Sequence, residues 1–208
     1  MSENSFRKIA DESIQPQEFK FSKLNLDKAV NIKKNYPSNY PESSIMPLLM
    51  LAQAQNNGWV PKKAIEYIAN FLKVPEIKVL EIATFYTMYN LSPIGNYHIE
   101  VCTTTPCMLR GSDEIVKACK KKIGINIGEV SEDKKFSLNR VECLGACVNA
   151  PMVQINDDFY EDLTAEWFEK ILLDLKRGEN VPSGPQTSRK ASEPEGGRTV
   201  LKSIEGDA

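Results

Sequence analysis

Apolar residues recur at helical spacing in the first half of the chain and at alternate positions in much of the second. Ser43 or Ser44 can cap a helix running to about Gln55, with Pro47 tolerated in its first turn because the N–H it lacks would have no partner there. Gly58 ends that helix. Pro61 opens a second, whose Ala64, Ile65, Ile68, Ala69 and Leu72 fall on one face, and Pro75 opens a third carrying Val79, Leu80 and Ala83. Residues 1–24 are polar without a sustained period and read as a flexible N-terminal arm, followed by a helical module over residues 25–93.

After Pro93 and Gly95 the period changes. Tyr97, Ile99 and Val101 alternate with His98, Glu100 and Cys102, which predicts a strand over residues 97–103. Ser112 is placed to cap a helix with Asp113 and Glu114 in its first turn, Lys120 to Lys122 in its last and Gly124 beyond. A second strand spans Phe136 to Glu142, and Met152 to Ile155 with Phe159 to Glu161 makes a hairpin about Asn156-Asp157-Asp158. Thr164 caps a last helix to Arg177 that buries Phe168, Ile171, Leu172 and Leu175. The order β-α-β-β-β-α suits an α+β domain with a short mixed sheet, as in a thioredoxin-like fold, over residues 94–178. From Gly178 onward Gly, Pro, Ser and charges dominate; residues 179–208 read as an extended tail that orders on a partner.

Composition narrows the partners. With 26 basic and 28 acidic residues the formal charge is -2, so neither nucleic acid nor an anionic bilayer is expected as a partner. The first residues show neither a secretory h-region nor an acid-poor presequence, and the apolar stretch from Met46 to Ala54 is too short to span a bilayer. The reading is a soluble protein of a reducing compartment, where clustered cysteines point to metal or thiol chemistry before disulfides.

Those cysteines carry the chemistry. Cys102 and Cys107 have four residues between them, Cys143 and Cys147 have three, and 35 separate the pairs. Each pair follows a strand, so two loops at one end of a sheet can offer four soft ligands to iron with bridging sulfide, or to zinc. The unequal gaps and long interval fit a two-iron cluster somewhat better than a zinc knuckle and leave both open. Gly145 lets backbone N–H groups approach the sulfurs, and Thr103, Thr104 and Thr105 are further donors.

Cys102-Thr103-Thr104-Thr105-Pro106-Cys107-Met108-Leu109-Arg110-Gly111 and the run from Glu142 to Asn156, with Cys143-Leu144-Gly145-Ala146-Cys147 and Asn149-Ala150-Pro151, resemble the two cluster loops of a known family. That family is the thioredoxin-like [2Fe-2S] subunit of NADH:quinone oxidoreductase, respiratory complex I. Gly58-Trp59-Val60-Pro61 and Ala83-Thr84-Phe85-Tyr86-Thr87-Met88-Tyr89-Asn90 are similar to its helical module, and the likeness covers residues 20–178. The tail, with Gly184-Pro185 and Glu193-Pro194-Glu195-Gly196-Gly197, is similar to the mitochondrial and alphaproteobacterial branch, and the missing presequence favours a bacterium.

The resemblance implies an N-terminal helical bundle followed by a thioredoxin-like [2Fe-2S] ferredoxin domain, with Cys102, Cys107, Cys143 and Cys147 as ligands of one [2Fe-2S] cluster. It implies an electron-transfer subunit beside the flavoprotein subunit that binds NADH and FMN, with the iron–sulfur large subunit as a second neighbour. The cluster of this family lies off the main chain of clusters, in a role often framed as electron storage. The chain would sit on the cytoplasmic face of a bacterial inner membrane, or on the matrix side in a eukaryote, without entering the bilayer. The alternative is the equivalent subunit of an NAD-linked hydrogenase or formate dehydrogenase.

Other readings find less support. A thiol-disulfide enzyme needs C-x-x-C at a helix N-terminus, which is missing, and no catalytic residue is assigned. A zinc-stabilised interaction module would need only the four thiolates. Cys119 shares a helix face with Ile115, Val116 and Ile123 and is expected in the core, while His98 is expected in a hydrogen-bonded structural role. Phe85, Tyr86 and Tyr89 are expected to divide between core and interface, and Lys120 to Lys122 to face water.

Overall fold

The computed structural model describes residues 5–194, 196, 197, 199 and 200; residues 1–4 of the expected arm and 195, 198 and 201–208 of the expected tail lie outside the described residues. The chain divides into two compact units, one ending at Asn96 and the other beginning at Tyr97.

The first unit is helical: α1 (Lys23–Lys34), α2 (Ile45–Gln55), α3 (Lys62–Leu72) and α4 (Glu76–Phe85). In α3 Ala64, Ile65, Ile68, Ala69 and Leu72 are buried against Leu48, Leu49 and Val79, as their spacing predicts. Each large aliphatic side chain removed from water there contributes about 2 kcal/mol. The cap expected for α2 is not made: Ser44 Oγ donates instead to the Pro41 carbonyl at 2.7 Å, inside a 3-10 turn over Pro41–Ser44. Helix α1 has no counterpart in the sequence reading. It buries only Ala29 and leaves Leu24, Leu26 and Val30 exposed, so no apolar stripe betrays it, although Ser22 caps it through Asn25.

The expected flexible arm is corrected. Phe6, Ala10, Phe19 and Phe21 are buried, and the rings of Phe19 and Phe21 meet each other and Tyr67 edge to face. Leu91 donates its amide to Phe6 and its carbonyl accepts from Ala10, at 2.8 and 2.9 Å. The Arg7 guanidinium donates to the carbonyls of Tyr86 and Tyr89, at 2.6 and 2.8 Å, and to that of Thr84. The segment is held by single side chains and scattered backbone pairs, an order that leaves no period to read.

The second unit holds β1 (Tyr97–Cys102), α5 (Thr105–Leu109), α6 (Ser112–Ile123), β2 (Glu129–Val130), β3 (Phe136–Val141), β4 (Val153–Ile155), β5 (Asp158–Glu161), α7 (Ala165–Arg177) and β6 (Gly184–Pro185). The six strands form one mixed sheet in the order β2-β3-β1-β4-β5-β6, with β1 parallel to β3 and antiparallel to β4. Its core joins Ile99, Val101, Leu138, Val153 and Ile155 of the sheet to Ile115, Val116 and Cys119 of α6 and Phe168, Ile171, Leu172 and Leu175 of α7. Thr164 caps α7 by accepting from the Trp167 amide, as expected. At α6 the cap position belongs to Gly111, in the left-handed region at φ 100°, and Ser112 is the first helical residue.

The expected tail is corrected as far as it is described. The Gly184–Pro185 strand pairs in parallel with β5, and Gln186 donates its amide to Glu161 at 2.9 Å. Apart from Val181, which packs on the core, the segment is held through its backbone and through Arg189, so its composition resembles that of a free tail.

Candidate metal centre

Strands β1 and β3 run side by side with Cys102 opposite Val141, so the loops that follow them leave the same end of the sheet. The first carries Cys102 into α5, where Cys107 lies on the buried side. The second passes Cys143 and Gly145 and closes in a 3-10 turn over Cys147–Asn149. Asn149 leads into a cis Ala150–Pro151 bond.

These loops place the predicted cysteines as two pairs at that end of the sheet. Cys143 Sγ and Cys147 Sγ lie 3.3 Å apart, and the Cys102 thiol raises the pKa of Cys107. The pairs sense one another, since charge on Cys147 raises the Cys107 pKa and charge on Cys102 raises that of Cys147. Two thiolates on one tetrahedral ion stand about 3.8 Å apart at metal–sulfur bonds of about 2.3 Å, so the exposed pair closes to near ligand spacing. Cys102 and Cys107 are buried while Cys143 and Cys147 are exposed, which gives the site one inner and one outer edge.

Hydrogen-bond donors converge on the sulfurs. The Gly145 amide donates to Cys143 Sγ at 3.4 Å and the Thr104 hydroxyl lies 3.3 Å from Cys102 Sγ, while the Thr104 hydroxyl lowers the Cys143 pKa and the Met152 amide that of Cys107. Of the three candidate threonine donors, Thr104 fills that role; the Thr103 amide goes to Val141 at 3.2 Å, and Thr105 opens α5. Such N–H and O–H bonds stabilise negative sulfur and raise the potential of a bound cluster. Four soft donors with these partners fit an iron–sulfur group. Among the described residues no three His, Cys, Asp or Glu side chains are gathered closely enough to hold a metal ion, so the cysteines stand as two pairs.

The thiols do not ionise alike. The Gly145 amide holds the Cys143 pKa below that of an ordinary thiol, with the Cys147 thiol as second contributor. Cys147 is pushed up, first by its hydrogen bond to Cys143. Burial pushes Cys107 to about 12.

The remaining expectations fall elsewhere. Cys119 is fully buried between α6 and the sheet, and burial raises its pKa to about 12. His98 lies buried with Nδ1 2.7 Å from Ser137 Oγ. Tyr89 is core, donating to the Met46 carbonyl at 3.0 Å, while Phe85 is 77% exposed. Lys121 and Lys122 both pair with Glu169 of α7, where simple exposure to water was expected. Sequence reasoning missed the Met152 amide, the buried Arg189–Asp162 ion pair and the bond that Arg189 donates to the Val148 carbonyl beside Cys147. A backbone donor carries no residue signature, and Arg189 stands in a stretch without pattern.

The family model for the thioredoxin-like [2Fe-2S] ferredoxin matches residues 29–176. The chain belongs to that family. As a thioredoxin-like [2Fe-2S] ferredoxin it is 60% identical over 158 residues to an NADH-quinone oxidoreductase subunit of Rickettsia bellii, covering 76% of this chain and 95% of the relative. It is 50% identical over 183 residues to NADH dehydrogenase [ubiquinone] flavoprotein 2, mitochondrial, of Dictyostelium discoideum, covering 88% and 74%. The crystal structure of an NAD+-reducing [NiFe]-hydrogenase in its H2-reduced state shares the fold, with a TM-score of 0.55 and 18% identity over 65% of this chain and 23% of the hydrogenase chain. Membership supports an iron–sulfur cluster as the bound group. Among the described residues no helix is long and apolar enough to cross a membrane.

Proposed function

We propose that Cys102, Cys107, Cys143 and Cys147 hold one [2Fe-2S] cluster and that the chain is an electron-transfer subunit of an NADH–quinone oxidoreductase. The observation that carries this reading is the delivery of both cysteine pairs to one end of β1 and β3, with backbone and hydroxyl donors turned onto their sulfurs. When bound, the cluster takes up and gives back one electron at a time. Cys102 and Cys107 anchor the inner edge away from water, and Cys143 and Cys147 present the outer edge to a partner. Exposed Met108, Leu109 and Val148 flank these cysteines with apolar surface. That surface suits an NADH- and FMN-binding flavoprotein subunit, and the iron–sulfur large subunit is the second neighbour. The assembly would hold the chain on the cytoplasmic or matrix face of the membrane.

The chain has neither G-x-G-x-x-G after a strand nor G-x-x-x-x-G-K-[ST], so it shows no familiar cradle for a dinucleotide. Hydride removal from NADH needs an organic acceptor such as flavin. The test is reduction of the purified chain followed in the visible spectrum. Dithionite bleaches it, NADH alone leaves it unchanged, and a stable complex forms with the flavoprotein subunit. Rapid reduction by NADH without flavin would overturn the subunit reading.

A further inference from the structure

The outer cluster loop is not held by burial. Cys143, Cys147 and Val148 are exposed, and Val148 is 58% so. Yet the loop closes on a buried polar knot whose other strands come from far along the chain. At its centre is the Asp162 carboxylate, at the end of β5. It accepts from Asn149 Nδ2 at 3.2 Å, from the Thr187 hydroxyl at 3.5 Å and from Arg189 Nη2 at 3.1 Å. The Asp162 and Arg189 side chains are only 5% and 9% exposed.

The same groups reach back to the loop. Arg189 Nη1 donates to the carbonyl of Val148, next to Cys147, at 3.0 Å across 41 residues of sequence. Asn149 Nδ2 also donates to the Ala191 carbonyl at 2.9 Å, and the Asp162 amide donates to the Asn149 carbonyl at 2.8 Å. A guanidinium spanning a carboxylate and a carbonyl fixes both through its planar fork, which a point cation cannot do as well. Pairing of β6 with β5 brings the segment within reach.

We propose that Arg189, with Asp162 and Asn149, forms a clasp by which the segment after β6 positions the Cys143–Cys147 loop on the cluster. Arg189 is then a positioning residue, and the cluster's lifetime depends on a segment outside the cysteine motifs. This inference rests on the ligand reading given above. An Arg189 that only anchored the chain end would leave the loop and the cluster indifferent to its loss.

The test uses the full chain with its cluster assembled. Loss of visible absorbance to excess EDTA is compared for the parent, Arg189→Gln and Arg189→Lys, with hydrogen exchange at the Asn149 and Ala150 amides and thermal melting alongside. The expected result is cluster loss about tenfold faster in Arg189→Gln, the scale seen when groups supporting metal ligands are removed. Faster exchange at Asn149 and Ala150, unchanged exchange in α7 and partial rescue in Arg189→Lys accompany it. Should Arg189→Gln fail to fold, Asp162→Asn/Arg189→Gln leaves no unpaired buried charge and is measured in its place. Equal lifetimes in parent and variant overturn the clasp alone. A parent chain that holds no cluster overturns the ligand reading, and the clasp with it.

Discussion

The amide of Gly145 donates to Cys143 Sγ at 3.4 Å, and it does so from a left-handed backbone at φ 87°. A Cβ at Gly145 would meet nothing within 4 Å, so the constraint there is the dihedral angle and not space. Gly145→Val should cost about 1–2 kcal/mol of stability and shorten the cluster's life, while Gly145→Asn should cost less, since Asn tolerates this region. Chemical denaturation with the visible band as second probe measures both. Equal losses for Val and Asn would show that the left-handed turn is not what the glycine supplies.

Replacement of Cys102, Cys107, Cys143 or Cys147 by Ala should each abolish the parent visible spectrum. Cys119→Ala should keep it and lose only core packing, about 1 kcal/mol. A bleached Cys119→Ala protein would mean that the ligand set is misassigned.

Cys119 also fixes a pH dependence. Its folded pKa is raised to about 12 by burial, against about 8.5 in an unfolded chain. The thiol therefore adds stability in full below about pH 8.5, and that contribution fades as pH rises toward the folded value, by up to about 1.4 kcal/mol per unit. Urea titrations at pH 8 and pH 10 should show parent stability falling more steeply than that of Cys119→Ala. Parallel pH slopes in the two proteins would place Cys119 in water.

The two cysteine-bearing loops after β1 and β3 were legible from residue type and spacing, which left iron and zinc both open; the family resemblance, not the spacing, pointed to a [2Fe-2S] cluster. Helix α3 and helix α7 were legible because each buries one stripe against a core: Ile65, Ile68 and Leu72 in one, Phe168, Ile171 and Leu175 in the other. Helix α1 buries only Ala29 and has no stripe to find. The N-terminal segment and the segment after α7 both read as loose chain, because Phe6, Arg7 and Arg189 act singly through long-range contacts. Asp162 looks like one more surface acid in the sequence, yet its carboxylate is the centre of a buried network that no local pattern encodes.

The measurement closest to the central claim is metal and sulfide analysis of the purified full chain. Four cysteine thiolates around one [2Fe-2S] cluster predict a brown protein with about two irons and two acid-labile sulfides per chain. A colourless protein with one zinc and no sulfide would contradict it.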